Sequence, residues 1–415
     1  MIDIKMIRDN PEMVKANCAR RGSDVDVDQI VALEKRCREL RQAVEGDRAE
    51  RNRLSAECKT NPEAREQVKT LKTTLKDNED KLEALEKQVD ALMAYLPNFL
   101  SPESPDGADD NANKELRKVG KIRDFGFKPL DHQELGEKLD IIDIKRGAKV
   151  AGAGFYYWKG KGAVLCSAMF NWTTQFLGKR GFTLFFTPCL AREQTLFGTG
   201  YLPFFADQTY ALKGEDLSLI GTSEQTLVGY HADEVLEAAE LPLRYTAFTP
   251  CFRTEAGSYG KASKGIFRVH QFHKVEQIAF CLPEESEKLH QECLANEEAL
   301  LSELGLPYRV VDVCVGDMGA PGYRKYDTEA YFPGFGTYRE VTSNTNLTDF
   351  QARRLNIRYK DKDGNRGFVH TISATAVTDR VAIAILENYQ REDGSIEIPE
   401  VLRPFTGFDV IEARK

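Results

Sequence analysis

Neither of the glycine-rich turns that usually cradle phosphate occurs in this chain. There is no GxxxxGK[ST] loop and no strand–GxGxxG–helix. Any nucleotide it binds must therefore be held by side chains. No apolar run is long enough to span a bilayer. The opening MIDIKMIRDNPEMV lacks an apolar stretch followed by a cleavage site and carries acids that transit peptides avoid, so a cytoplasmic protein with no membrane partner is expected. The nine cysteines are scattered with no CxxC pair, which argues for reduced, mostly buried thiols. The six histidines are likewise dispersed and read as packing rather than metal ligands. The net charge of −8 excludes a purely electrostatic nucleic-acid binder, and any such contact must sit on a local patch.

What is present divides the 415 residues into unlike parts. Ile30, Leu33, Cys37, Leu40 and Val44 step by three and four, as do Val68, Leu71, Leu75, Asn78, Leu82, Leu85, Val89 and Leu92. Each series predicts a helix with a heptad seam. The break between Lys59 and Pro62 predicts a short turn, so the two helices should fold back as an antiparallel hairpin. Asp47 and Arg51 weaken the first seam, and Asn78 is a polar seam residue that could fix register. The tip is basic within an acidic chain, with Arg48, Arg51, Arg53, Lys59, Arg65, Lys69 and Lys72 against four glutamates. A solvated helix face and a probe for a phosphate backbone both fit that pattern. The stretch from Leu96 to Asn113, rich in Pro, Ser, Asp, Asn and Gly, reads as a linker. The boundaries expected are 1–100 for an N-terminal domain, 101–115 for the linker and 116–415 for a catalytic domain.

After the linker the chain mixes helices and short strands without a βαβ rhythm, which predicts an α+β fold on a mostly antiparallel sheet. Helices are expected over 163–180, 283–304, 348–357 and 381–390, and strands over 182–188, 217–220, 247–252, 266–279 and 308–314. The segment from Phe252 to Glu276 then stands out. FRTE and FRVHQF flank a small polar loop between two predicted strands. Arg253 and Arg268 offer forked donors for phosphate or carboxylate oxygens. Glu255 can accept from an adenine amino group, and Phe272 offers a face for the base. A solvated charged hairpin is the plainer reading of this segment alone.

Longer motifs decide between these readings. RGFTLFFTPCLAREQTLFGTG, LIGTSEQ, FRTE with FRVHQF, YREVTSNTNLTDFQARR and AILENYQREDGSIEIPEVLRPF, together with the opening helices, resemble the seryl-tRNA synthetases over essentially the full length. That resemblance implies an antiparallel-sheet class II synthetase catalytic domain behind an N-terminal helical hairpin. It implies ATP-dependent formation of seryl-adenylate from L-serine and transfer to the 3′ end of tRNA(Ser), with tRNA(Sec) as a further candidate acceptor. It also implies a homodimer and tRNA contact through the hairpin. By the same resemblance, Arg253 holds the α-phosphate and the substrate carboxylate. Thr254, Glu255 and Val269 lie along the nucleotide, and Phe272 stacks on adenine. Arg268 and Arg380 clamp the outer phosphates. Glu340 and Ser343 ligate Mg²⁺, with Val341 and Thr342 beside the nucleotide. Thr222, Ser223 and Glu224 meet the serine ammonium, and Glu276 accepts from its hydroxyl.

The segment VHTISATAVTDR departs from the family pattern. Counting back from Arg380 puts Ala374 at the position of a pocket hydroxyl. Counting forward from Val369 puts Thr375 there, with one residue missing before Arg380, and this second register keeps a hydroxyl in the pocket. Asn344 stands where cysteine is common and is expected to retune the pocket. Two other functions compete: an enzyme making an aminoacyl-adenylate for a non-tRNA acceptor, and a catalytically silent RNA-binding paralogue. The basic hairpin argues against the first, and the retained arginines and glutamates argue against the second.

Overall fold

Two helices, α1 (Val27–Glu57) and α2 (Pro62–Ala94), dominate the first of two units into which the chain divides, Met1–Phe99 and Leu100–Lys415. The computed structural model describes residues 1–58, 61–256 and 264–414. α1 begins where the Asp26 carboxylate accepts from the Gln29 amide at 2.9 Å. α2 begins with Pro62 at its first turn and the Asn61 side chain accepting from Glu63 N at 3.0 Å. At about 1.5 Å per residue the 31- and 33-residue helices are each roughly 45–50 Å long.

The seam is apolar over most of its length, with Val44 and Leu75 buried on either side of one polar break. Ile30, Leu33 and Cys37 pack with Val89 and Met93 at the base, and Leu54, Ala64 and Val68 pack near the tip. Between these clusters Asn78 donates to Asp47 at 3.2 Å, a pair that only one register of the two helices satisfies. Arg41–Glu86 at 2.5 Å and Arg48–Glu79 at 2.6 Å cross from one helix to the other. Arg53 pairs with Glu50 and Glu57 along its own helix, and Arg65 donates to the Cys58 carbonyl at 2.8 Å. Lys69 and Lys72 are exposed. Lys59 and most of the turn lie outside the described residues.

The second unit is organised by an eight-stranded sheet. Its strands are β1 (Lys114–Val119), β2 (Thr183–Phe185), β3 (Leu243–Phe252), β4 (Gln271–Cys281), β5 (Tyr308–Asp312), β6 (Arg324–Phe332), β7 (Thr337–Thr348) and β8 (His370–Thr378). They lie in the order β1-β5-β6-β7-β8-β4-β3-β2, antiparallel throughout except for the β2–β3 pair. Alternation sets two faces. Val275, Ala279, Ala374 and Ala376 join one core with α3 (Gly160–Gly178), α4 (Ser286–Glu303) and α5 (Asp379–Asn388). The side chains between them in sequence, including Lys274, Glu276, Ser373 and Thr375, point to the other face and line a cavity.

Two sequence expectations change. The strand expected from Ile266 begins only at Gln271, opposite Phe252. Residues 266–270 leave the sheet because their backbone is engaged elsewhere: Ile266 N donates to His132 Nε2 at 3.2 Å, and His270 N donates to the Gly154 carbonyl at 3.0 Å. The stretch read as a linker is packed from Leu100 onward. Leu100, Ser101 and Ser104 are buried, Ser101 N donates to the Tyr323 carbonyl at 2.9 Å, and the Pro105 carbonyl accepts from Val315 N at 2.9 Å. The loop expected between β3 and β4 falls, over 257–263, outside the described residues.

Candidate active site

The cavity, of about 490 Å³, lies over β4, β8, β7 and β6 and is walled by residues 199–209, 252–255 and 266–269. Cationic side chains gather on one side of it. Arg253 follows the last residue of β3, and its guanidinium sits 5.1 Å from the centre of the Phe272 ring, within cation–π range. His270 Nδ1 donates to the Arg253 carbonyl at 3.0 Å, which fixes the backbone there. Glu255 adopts a left-handed φ of 51°, uncommon for a side-chain-bearing residue, and forms an ion pair with Arg268. The two groups read from sequence as adenine acceptor and phosphate clamp are thus partners of each other, and a bound nucleotide must take both over.

Arg380 enters from the first turn of α5, whose amide at Arg380 is capped by Thr378 Oγ1 at 3.2 Å. Its Nε donates to the Phe267 carbonyl at 3.2 Å and its Nη1 to the Glu340 carbonyl at 3.1 Å, with the Glu340 carboxylate at 3.3 Å. Partial desolvation pushes the Glu340 carboxyl up, but Arg380, Lys325 and Arg253 outweigh it and hold the group below the usual carboxylate range. Beside it the Asp327 carboxyl is pushed up to about 7 by burial, against the pull of Lys325 at 3.0 Å. Ser343 lies directly across from Asp327 and shares a hydrogen bond with it.

The opposite side is a buried pocket of carboxylates and hydroxyls. Glu276 accepts from Ser373 Oγ at 3.1 Å and Thr222 Oγ1 at 3.3 Å, and it forms an ion pair with Lys274. Glu224 accepts from Tyr201 Oη at 2.9 Å and Gln351 Nε2 at 2.7 Å. Burial raises its pKa, and the Glu276 charge raises it further. Thr375 lies opposite Glu276 and faces the cavity, whereas Ala374 is in the core. A register slip between Thr375 and Val377 puts Ala376 and Val377 together on the core face and returns Thr378 to the cavity. That bulge is the local irregularity that ungapped counting from Arg380 misses.

Several side chains point elsewhere than the sequence suggested. Thr342 and Asn344 turn their side chains away from the cavity toward α4. Thr342 Oγ1 donates to Glu297 at 2.7 Å, and Asn344 Nδ2 donates to the His290 carbonyl at 2.8 Å, so Asn344 does not shape the pocket. Val341 and Thr342 still border the cavity, although the Val341 side chain is buried in the core cluster and its carbonyl accepts from Thr378 Oγ1 at 3.2 Å. Ser223 is fully buried and its hydroxyl has no hydrogen-bond partner among the described residues. Thr254 bonds back to the Asp207 carbonyl instead of facing inward. Thr222 meets the pocket through two of its residues, donating to Glu276 at 3.3 Å and accepting from Glu224 N at 3.2 Å. Sequence reading missed Tyr201, Lys274, Lys325, Asp327 and Gln351. Lys274 was within reach, because two residues before Glu276 on one strand is the same face.

One buried pair ties these parts together. His132 and Glu387 are both inaccessible to solvent. Glu387 accepts from His132 N at 3.0 Å and His132 Nδ1 at 2.8 Å, and its second oxygen accepts from Gly334 N at 2.9 Å. Since His132 Nε2 accepts from Ile266, its proton is on Nδ1. The segment bearing Arg268 is thereby fastened to the helix bearing Arg380.

Comparison with known proteins places this geometry. The family described as "tRNA synthetase class II core domain (G, H, P, S and T)" matches residues 209–389, and "Seryl-tRNA synthetase N-terminal domain" matches residues 1–100. A serine–tRNA ligase of Rubrobacter xylanophilus is 45% identical over 99% of both chains, and one of Dictyoglomus thermophilum is 46% identical over 100% of both. The crystal structure of a seryl-tRNA synthetase from Pyrococcus horikoshii complexed with ATP superposes over 100% of both chains with a TM-score of 0.94 at 39% identity. A prolyl-tRNA synthetase from Giardia lamblia, at 16% identity and a TM-score of 0.58, shares the fold.

Proposed function

We infer the activity from one premise: the chain belongs to the seryl-tRNA synthetase family. It is a serine–tRNA ligase, which activates serine with ATP and esterifies tRNA with it. The observation that carries this reading is full-length identity near 45% to serine–tRNA ligases. Within the cavity, a carboxylate–hydroxyl pocket beside a cluster of guanidinium groups is consistent with it.

Activation requires a serine carboxylate oxygen in line with the α-phosphate while phosphate charge is neutralised. Positioning and electrostatics supply most of that. Arg253, whose charge is felt by both Glu340 and Tyr201, would hold the α-phosphate and the serine carboxylate. Glu255 would release Arg268 to accept from the adenine amino group, and Arg268 with Arg380 would take the outer phosphates of a bent ATP. Phe272 would lie under the base and Val269 along it. The serine ammonium suits Glu224 with Tyr201, and its hydroxyl suits Glu276 with Thr375. The carbonyl of the adenylate is then attacked by the 3′-terminal hydroxyl of tRNA, and AMP leaves.

A divalent cation fits this donor set. Glu340 is held ionised, and Ser343 offers a second hard oxygen on the same face. Among the described residues no three acidic, histidine or cysteine side chains converge on one point, so phosphate oxygens would have to complete the shell. Mg²⁺ held by Glu340 and Ser343 would neutralise charge on the phosphates.

The exposed Lys69 and Lys72 near the hairpin tip support a shape- and phosphate-reading contact with tRNA(Ser) outside its anticodon. Exposed Leu184, Phe186 and Tyr230 support a homodimer through the β2 region. No described helix is long and apolar enough to cross a membrane. Nine unpaired thiols fit a cytoplasmic setting. ATP–pyrophosphate exchange across the amino acids tests the reading. Serine should support exchange well above alanine, threonine and cysteine, and tRNA(Ser) should then be charged. Exchange without charging would favour a non-tRNA acceptor, and no exchange would refute the activity.

A further inference from the structure

Glu340 and Ser343 of β7 are three residues apart. On an unbroken strand side chains alternate, so residues three apart point to opposite faces. Both nevertheless point to the cavity. Ser343 lies across from Asp327 of β6 and Glu340 across from Glu329, and those two partners are two residues apart. Three steps on β7 match two on β6 because the pairing slips between Thr328 and Glu329, leaving Val341 as an extra residue. This is a β-bulge, and it re-aims one side chain next to the site.

Something must hold the slip in place, and the candidate lies behind the sheet. Thr328 and Thr342 are the pair immediately beside the bulge. Both turn toward α4, and both hydroxyls donate to one oxygen of Glu297, at 3.0 and 2.7 Å. Glu297 is fully buried, and its other oxygen has no hydrogen-bond partner among the described residues. Burial drives its pKa well above the usual carboxylate range, against the pull of the two hydroxyl bonds. A buried acid with one oxygen unused is a poor stabiliser, since an apolar side chain of similar size would avoid the desolvation cost. Its two bonds do join neighbouring strands at the point where their register slips.

We propose that Glu297 is a positioning residue: by holding Thr328 and Thr342 from behind the sheet, it sets the bulge that brings Glu340 and Ser343 to one face for a divalent cation on the ATP phosphates. The proposal rests on Glu340 and Ser343 being the cation ligands. Full-length Glu297→Leu, Glu297→Gln and Thr342→Val are compared with the parent. The readouts are Mn²⁺ binding to the enzyme with a non-hydrolysable ATP analogue, followed by electron paramagnetic resonance, and the KM values for ATP and serine in exchange. Losing both hydroxyl bonds should weaken Mn²⁺ binding in Glu297→Leu about tenfold and raise the ATP KM with it, while the serine KM stays within about twofold. Glu297→Gln keeps an acceptor oxygen and should stay near the parent, with Thr342→Val in between. Parent-like Mn²⁺ binding in Glu297→Leu overturns the proposal. So does a Gln variant as impaired as Leu, or a parallel rise in both KM values, the mark of general damage. If Glu297→Leu does not fold, parent-like Mn²⁺ affinity in Thr342→Val overturns it. A parent whose ATP-analogue complex binds no Mn²⁺ would instead refute the ligand assignment of Glu340 and Ser343, and the proposal would fall with it.

Discussion

Replacing Glu276 by glutamine removes one charge from the serine pocket while keeping its volume. Glu276 is buried and accepts from Ser373 at 3.1 Å and Thr222 at 3.3 Å, with Lys274 as its counter-charge. An amide can still accept from a hydroxyl, but it no longer offers the stronger acceptor of an ionised group. Hydrogen bonds to charged groups contribute about 1.5–3 kcal/mol, and each 1.4 kcal/mol is about tenfold. The kcat/KM for serine should therefore fall about 10- to 100-fold in ATP–pyrophosphate exchange. The ATP KM should move by less than about threefold, since Arg253, Arg380 and Glu340 keep their partners. Preference for serine over alanine should narrow, because less is lost when the hydroxyl is absent. Stability should fall as well, because Lys274 keeps a buried charge without its partner. An unchanged serine KM, or equal losses for ATP and serine, would refute the assignment of Glu276 to the substrate hydroxyl.

Arg268→Ala should raise the ATP KM by roughly tenfold or more through loss of charge-assisted bonds, with the serine KM little changed, as titration of each substrate in exchange would show. Reversing Lys69 and Lys72 to glutamate should weaken tRNA charging about tenfold at low salt and leave exchange intact, and equal loss in both assays would contradict a tRNA role for the hairpin. His290 is depressed from 6.5 to about 4 by burial, so between those values the unfolded chain carries more protons than the folded one. The parent should therefore lose up to about 3 kcal/mol relative to His290→Gln as pH drops from 6.5 toward 4, and nothing relative to it above 6.5, while the opposite contribution of Asp327, raised to about 7, is common to both proteins. Urea denaturation at several pH values measures it.

The helical hairpin was legible because its signal is local. Three–four spacing over many residues needs no distant partner, and the Asp47–Asn78 pair filled the polar break that the seam already showed. The sheet was harder to read. β6, β7 and β8 are buried or bulged, so their sequences do not alternate cleanly, and their pairing partners lie far away in the chain. Residues 266–270 alternate like a strand yet leave the sheet, because His132, more than a hundred residues earlier, takes the Ile266 amide. The guanidinium cluster was legible through long motifs. Which atoms face the cavity was not, because two bulges, near Val341 and Ala376, shift the alternation that such reading depends on. Lys325 and Asp327 carried no motif and become apparent only across from Thr345 and Ser343.

A structure of the protein with a non-hydrolysable seryl-adenylate analogue tests the central claim most directly. The account predicts the seryl hydroxyl on Glu276 beside Thr375, the ammonium on Glu224, the phosphoryl mimic on Arg253, and adenine over Phe272 with Glu255 detached from Arg268. An analogue bound elsewhere, or Arg253 turned out of the cavity while Glu255 and Arg268 stay paired, would contradict it.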